Sequence, residues 1–285
     1  MRIVACGRVD DVRIRHCCAL FLSMITVSAG NAQAAPTKES IEARLKGSFL
    51  MLRGTWAGEN MAFDSQGNLV GTAEKTFFSL SAVIVEQVEL SDRQLEIRGR
   101  RAGLTFHYIG PRNVQPEYAL GVKSIGASPY EKTYLDVTVE RDPQHPEWLE
   151  AGLSKVFSIG IDDSLANSAP HYWRTFLQHS LHPSDIPTSK PQQHDPGIKN
   201  PILRYSPNSL LSRAVKLLHA TGVSVIGLTV DISGMPQDVH ILRPLGMGSD
   251  EYAVAEVLQY RFTPAMDHGR PVEAKDIQIE VNFRE

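Results

Sequence analysis

VLQYRFTPAMDHGRPV, from Val257 to Val272, carries the reading of the fold. Its start, Val257-Leu258-Gln259-Tyr260, reads as the end of a helix. Arg261-Phe262-Thr263-Pro264-Ala265 then makes an abrupt corner, because proline so soon after an apolar stretch ends a helix. Gly269-Arg270-Pro271 allows a reversal. From Ile277 onward apolar and polar residues alternate as in a half-buried strand. No residue of the corner has an evident catalytic role. Tyr260 and Phe262 are suited to pin a helix end to a sheet, and Ala265 is small enough for chains to pass closely.

Working outward, the flanks supply the elements this corner joins. Ser206-Pro207 is an N-cap followed by a favourable first helical residue. Leu211, Ala214, Val215 and Leu218 give that helix one apolar stripe, and Gly222 ends it. Ile226, Leu228 and Val230 alternate as a strand. Ser233-Gly234 turns the chain, and Val239 and Ile241 return as its antiparallel neighbour. Ser249-Asp250-Glu251 opens a second helix, with an acceptor and two carboxylates at the positive end of its dipole. Ala253, Val254, Val257 and Leu258 form its inward face. Ile277, Ile279, Val281 and Phe283 alternate with Gln278, Glu280, Asn282 and Arg284. The expected unit is therefore two helices on a three-stranded antiparallel sheet.

This pattern resembles the TonB C-terminal domain family. Gly222-Val223-Ser224-Val225 through Val230-Asp231-Ile232-Ser233-Gly234 and Val239-His240-Ile241-Leu242 are similar to its first hairpin. Asp250-Glu251-Tyr252-Ala253-Val254 matches its second helix. Arg261-Phe262-Thr263-Pro264-Ala265 with Gly269-Arg270-Pro271-Val272 resembles its W-R-F-x-P-A-x-x-x-G-x-P-V corner. Tyr260 stands where the family has tryptophan. The resemblance covers about Ser209 to Glu285.

The resemblance implies a periplasmic, non-catalytic interaction module that needs no cofactor or metal. Its partner would be an extended segment of an outer-membrane TonB-dependent transporter. The grip would be strand addition at an exposed sheet edge. The expected edge is the closing strand, so the candidate partner-binding residues are Ile277, Gln278, Ile279, Glu280, Val281, Asn282 and Phe283. Energy transmission is implied as well, with inner-membrane motor proteins as partners if the N-terminal segment is retained. A homodimer by strand pairing is the other partner open to such an edge.

The rest of the chain departs from the usual transducer, which has an anchor and a long Pro-rich spacer. Residues 1–34 read as a signal peptide. Arg2, Arg8, Arg13 and Arg15 are its basic region, Ala19 to Ala29 its apolar run, and Ala32-Gln33-Ala34 its cleavage motif. An uncleaved inner-membrane anchor is the rival reading, but the run falls short of a bilayer. Residues 38–163 read as a β-rich domain, an antiparallel sheet or open barrel plus a helix. Asp64-Ser65-Gln66-Gly67-Asn68 and Ser91-Asp92-Arg93 are its turns. Leu95, Ile97, Leu104, Phe106, Tyr108, Leu135, Val137 and Val139 mark further strands. Pro146 opens the helix, with Leu149, Leu153, Val156 and Phe157 on one face. Residues 164–205 are expected to be an irregular Pro/His-rich segment and linker; a linker of about 30 residues could extend at most ~100 Å. Residues 206–285 complete an α+β protein.

Composition narrows the chemistry. Cys6, Cys17 and Cys18 all lie in the first segment, so the remainder has no disulfide or thiolate. Beyond residue 34 there are 25 Lys+Arg (29 − 4) and 30 Asp+Glu (32 − 2), a net charge of −5, which argues against nucleic acid as partner. His171, His179, His182 and His194 cluster loosely, but no cysteine or tight carboxylate completes a metal site. Asp162-Asp163 and Glu140-Arg141-Asp142 read as surface carboxylates, and His240 as a solvent-facing strand residue. No nucleophile elbow, P-loop, H-E-x-x-H or G-x-G-x-x-G motif is present. Two alternatives stand beside the lead reading: a soluble envelope scaffold or assembly factor without energy coupling, and a secreted enzyme with its site in the N-terminal β domain.

Overall fold

The computed structural model describes residues 3–5, 8–9, 12–13, 37–108, 118–125, 133–182, 198–207 and 221–284. They fall into two compact units. One draws on 4–104 and 120–165, the other on 105–119 and 166–285 together with the first three residues.

In the first unit, α1 (Lys38–Leu45) is capped by Thr37, whose Oγ1 accepts from the Ser40 N–H at 3.3 Å. The strands are β1 (Phe49–Leu52), β2 (Asn60–Phe63), β3 (Leu69–Val70), β4 (Ala82–Leu90), β5 (Gln94–Tyr108), β6 (Tyr118–Ser124), β7 (Tyr134–Glu140) and, after α2 (Trp148–Val156), β8 (Phe157–Ile159). They form one sheet in the order β8-β1-β4-β5-β7-β2-β3, and β6 also pairs with β5. The hairpins expected around 64–68 and 91–93 are β2–β3 and β4–β5. Asp64 builds the first turn by accepting from the backbone N–H groups of Gln66 and Asn68 at 2.9 and 2.8 Å.

Two expectations for this unit are corrected. The sheet is mixed, not antiparallel throughout: β7 runs parallel to β2, with Val137 opposite Met61 and Val139 opposite Phe63. The apolar residues of β7 therefore meet a strand more than 70 positions away, a pairing that periodicity alone does not reveal. Phe157 is not on the helix either; it begins β8, opposite Leu52. Leu149, Leu153 and Val156 do bury against the sheet, in a core with Leu52, Phe63, Leu95, Ile97 and Leu135.

In the second unit the described parts of the stretch 164–205, residues 164–182 and 198–205, are more ordered than their composition suggests. They contain α3 (Asp163–Ser168, which begins one residue earlier), α4 (His171–Leu181), β9 (Ile198–Lys199) and β10 (Ile202–Tyr205). Trp173, Phe176, Leu177 and Ser180 give α4 a buried face at helical spacing. Strands β11 (Gly222–Val230), β12 (Pro236–Arg243), β13 (Arg261–Thr263), β14 (Ala265–Asp267), β15 (Arg270–Val272) and β16 (Ala274–Phe283) follow, with α5 (Ser249–Val257) after β12. The three-stranded antiparallel sheet is present, in the order β12-β11-β16. The first helix of the expected pair, including Leu211, Ala214, Val215 and Leu218, lies outside the described residues.

The corner behaves as its residues demand. Tyr260, Phe262 and Ala265 are buried. His268 and Gly269 take φ of 47° and 82°, a two-residue turn that closes the β14–β15 hairpin. Linker residues are bound to this corner: β9 pairs with β14, and β10 with β13.

Candidate interaction edge

From Ile277 every second residue of β16 is apolar, and the strand pairs with the central strand β11. The pairing keeps register from Phe283 opposite Gly222 to Ile277 opposite Leu228. Beyond that point the register slips. Asp276 takes φ of 57°, and two residues of β16, Lys275 and Asp276, face the single residue Thr229. The unbroken run is thus Ile277 to Phe283. Among the described residues, β16 pairs with β11 alone. Alternate backbone N–H and C=O groups of such a strand point away from the sheet.

The run has two rows of side chains. Ile277, Ile279, Val281 and Phe283 share the face of Ser224, Ile226 and Leu228, on which α5 packs. Val281 and Phe283 are buried, whereas Ile277 and Ile279 remain partly exposed. Gln278, Glu280 and Asn282 form the opposite, exposed row. Glu280 sits across Val225 from Arg243 of β12, and the Arg243 guanidinium lies 3.7 Å from its carboxylate.

The other outer strand, β12, is managed differently. Its register slips between Gly227 and Thr229, where Asp238 takes φ of 49°. Helix α4 packs against it. Just past its end, Thr105 bridges to Gly246, and the Phe106 N–H donates to the Leu245 carbonyl at 3.3 Å. Phe106 packs against Trp173 of α4 in a tilted arrangement and against Phe176 edge to face, at centroid distances of 5.6 and 5.4 Å. The Trp173 indole N–H donates to Glu251 at 3.0 Å. A bulge, a helix and a cross-bridge are common ways of blunting an edge strand. His240 is half-buried, so the expectation of a solvent-facing residue is corrected. Its ring lies over Gly227, where a Cβ would come within 2.6 Å of Nε2.

Helix α5 is anchored by a residue whose task differs from the expected one. Ser249 does not cap it; Gly248, at φ 81°, occupies that position with no side-chain bond, while Asp250 and Glu251 stand in the first turn as expected. The buried Asp250 carboxylate instead reaches back. It accepts from Ser224 Oγ at 2.5 Å, from the Leu245 N–H at 2.9 Å and from the Gly246 N–H at 2.7 Å. It ties the helix start to the central strand and to the preceding loop. Burial, reinforced by the charge of Glu251, pushes its pKa up to about 7 against the pull of these donors. The same surroundings push Tyr172 up to about 12, through burial and then Glu251. Asp231 is the opposite case. The Ser233 hydroxyl and the Met235 N–H hold its carboxylate down at about 2.

Among the described residues no group of three or more His, Cys, Asp or Glu could hold a metal ion. His171 and His179 stand on α4 and His182 follows it, while His194 lies outside the described residues. Asp162 is not merely a surface carboxylate. It accepts from Ser158 Oγ at 2.8 Å and the Leu165 N–H at 2.6 Å. No described helix is long and apolar enough to cross a membrane. Sequence reasoning missed Phe106, Trp173 and Asp250 as organisers of this unit. The spacing of Trp173, Phe176 and Leu177 was the one signal available.

No curated protein and no solved structure matches the chain. Residues 208–284 match the model of the family described as Gram-negative bacterial TonB protein C-terminal, and the remainder of the chain is not covered by it. This C-terminal segment is therefore a domain of the TonB C-terminal type, a family of non-catalytic interaction domains associated with the cell envelope.

Proposed function

We propose that the protein is a periplasmic interaction module that binds an extended segment of an outer-membrane transporter by adding it to the free side of β16. Ile277 to Phe283 would supply the backbone groups. The observation that carries this reading is the asymmetry of the sheet. Strand β12 has a bulge, a packed helix and a neighbouring bridge. Strand β16 offers seven residues in continuous register with one partner among the described residues. Backbone pairing grips a partner with little demand on its sequence. Transmission of energy would further require attachment to an inner-membrane motor. Without that attachment the same edge serves a soluble envelope scaffold.

The test uses the full chain, because Phe106 and α4 belong to the C-terminal unit. It is titrated with N-terminal peptides of the transporters encoded alongside it, and with versions N-methylated at alternate residues. One methylated set should abolish binding and the other should leave it, since only one row of peptide amides faces β16. Absence of saturation up to about millimolar peptide, roughly −4 kcal/mol, would contradict the proposal.

A further inference from the structure

We infer that the edge selects segments carrying a basic residue beside Glu280; this rests on the strand-addition reading above. Within Ile277 to Phe283, Glu280 is the only charged side chain. It stands in the middle of the exposed row, between Gln278 and Asn282. A strand laid against β16 places one side chain directly opposite Glu280, with Cβ atoms about 5 Å apart. That neighbour meets a carboxylate whose side chain is 67% exposed and whose contact with Arg243 is long, at 3.7 Å. A contact of that length between exposed groups holds Glu280 weakly and leaves it able to turn toward a new cation. Arg243 stands two strands from the incoming segment, with β11 and β16 between them, so it offers little to an acidic residue there.

The charges at the bulge end of the run point the same way, while the exposed Arg284 stands past its other end. Asp276, exposed, marks the bulge that ends the run, and Lys275 is drawn toward Glu273 at 3.3 Å. The chain as a whole carries a net charge of −3, which speeds approach of cationic segments. The other row sets a second condition. Ile277 and Ile279 are left partly open beside the buried Val281 and Phe283. The preferred segment is therefore apolar at alternate positions on the α5 side and basic on the other.

The experiment uses the full chain and three alternating peptides, identical except that the polar row is Lys, Gln or Glu throughout. Affinity should fall in the order Lys, Gln, Glu, by about two- to tenfold per step. The differences should shrink in 1 M salt, where screening acts over about 3 Å. Glu280→Lys should reverse the order, and Arg243→Gln should steepen it by freeing Glu280. Circular dichroism confirms that both variants are folded. Equal affinities for all three peptides, with alternate N-methylation still abolishing binding, would overturn the selectivity and leave strand addition standing. Persistence of the wild-type order in Glu280→Lys would also overturn it. Failure of all three peptides to bind would remove strand addition and, with it, this inference.

Discussion

Phe262 donates its backbone N–H to the carbonyl of Gly234 at 2.9 Å, which joins the first hairpin turn to the arginine–aromatic–proline corner. Gly234 has φ of 84°, and a Cβ built on it would fall onto the Phe262 carbonyl. Two motifs 28 positions apart are thus one structural contact. Left-handed backbone costs a residue with a Cβ roughly 1–2 kcal/mol before any clash. Gly234→Ala should destabilise the C-terminal unit by about 2–4 kcal/mol, since the blocking atom is backbone and cannot rotate away. Trp173 is the one tryptophan in that unit. Its fluorescence during urea unfolding of a Trp56→Phe, Trp148→Phe background reads the loss. A change below about 0.5 kcal/mol, within the usual range of surface substitutions, would mean the close approach is not present.

Asp250 predicts an unusual pH dependence. Its folded pKa of about 7 lies above the ordinary carboxylate value, so the folded state binds the proton more tightly. The contribution is fully present below about pH 4 and is lost as pH rises through 7. Stability of the C-terminal unit should therefore decline from pH 5 to pH 8. Asp250→Asn should flatten that decline, and Asp250→Ala should cost about 2–5 kcal/mol at pH 5, by stranding the Leu245 and Gly246 N–H groups. Urea midpoints across this range are the check. A wild-type midpoint that rises with pH, in a manner removed by Asp250→Asn, would reverse the sign.

Asp231 should behave oppositely. Its pKa of about 2 is depressed by the Ser233 hydroxyl and by backbone donors. Its contribution is present above the ordinary value of about 4 and is lost as pH falls through 2. An NMR titration of the Asp231 carboxyl should give a midpoint well below that of a free aspartate. Ser233→Ala should raise it. A midpoint near 4 would mean the turn does not hold the carboxylate.

In the N-terminal unit, Arg53 clamps the end of α2 to the following turn. Its guanidinium donates to the carbonyls of Ser154 and Phe157 at 2.6 and 3.1 Å, to Ser164 Oγ at 3.2 Å and to Asp162 at 3.3 Å. Arg53→Ala should lower stability by about 2–4 kcal/mol, and Arg53→Lys should recover less than half, because an ammonium cannot reproduce the fork. Thermal unfolding of both variants checks this. Full rescue by lysine would show that only the charge matters.

The hairpin, the corner and β16 were legible because each is specified locally, by period-two alternation, by Gly at positive φ or by proline. The register of β16 against β11 follows from the same alternation. What was hidden depends on residues brought together from far apart. The Asp250 carboxylate reads in sequence as a first-turn acid that favours the helix dipole, yet Ser224 and the 245–246 loop claim it in space. The parallel pairing of β7 with β2 leaves no local trace. Helix α4 lay between Pro170 and Pro183, and the prolines and histidines around it obscured four well-spaced buried residues. The bulges at Asp238 and Asp276, one in each outer strand, rest on backbone angles that the residue type alone does not announce.

The most direct measurement is amide hydrogen exchange of the full chain with and without a saturating transporter peptide. Exchange should slow at alternate residues between Ile277 and Phe283, with little change in β12. Unchanged exchange across that run, with new protection at β12 or at β9 and β10, would contradict it.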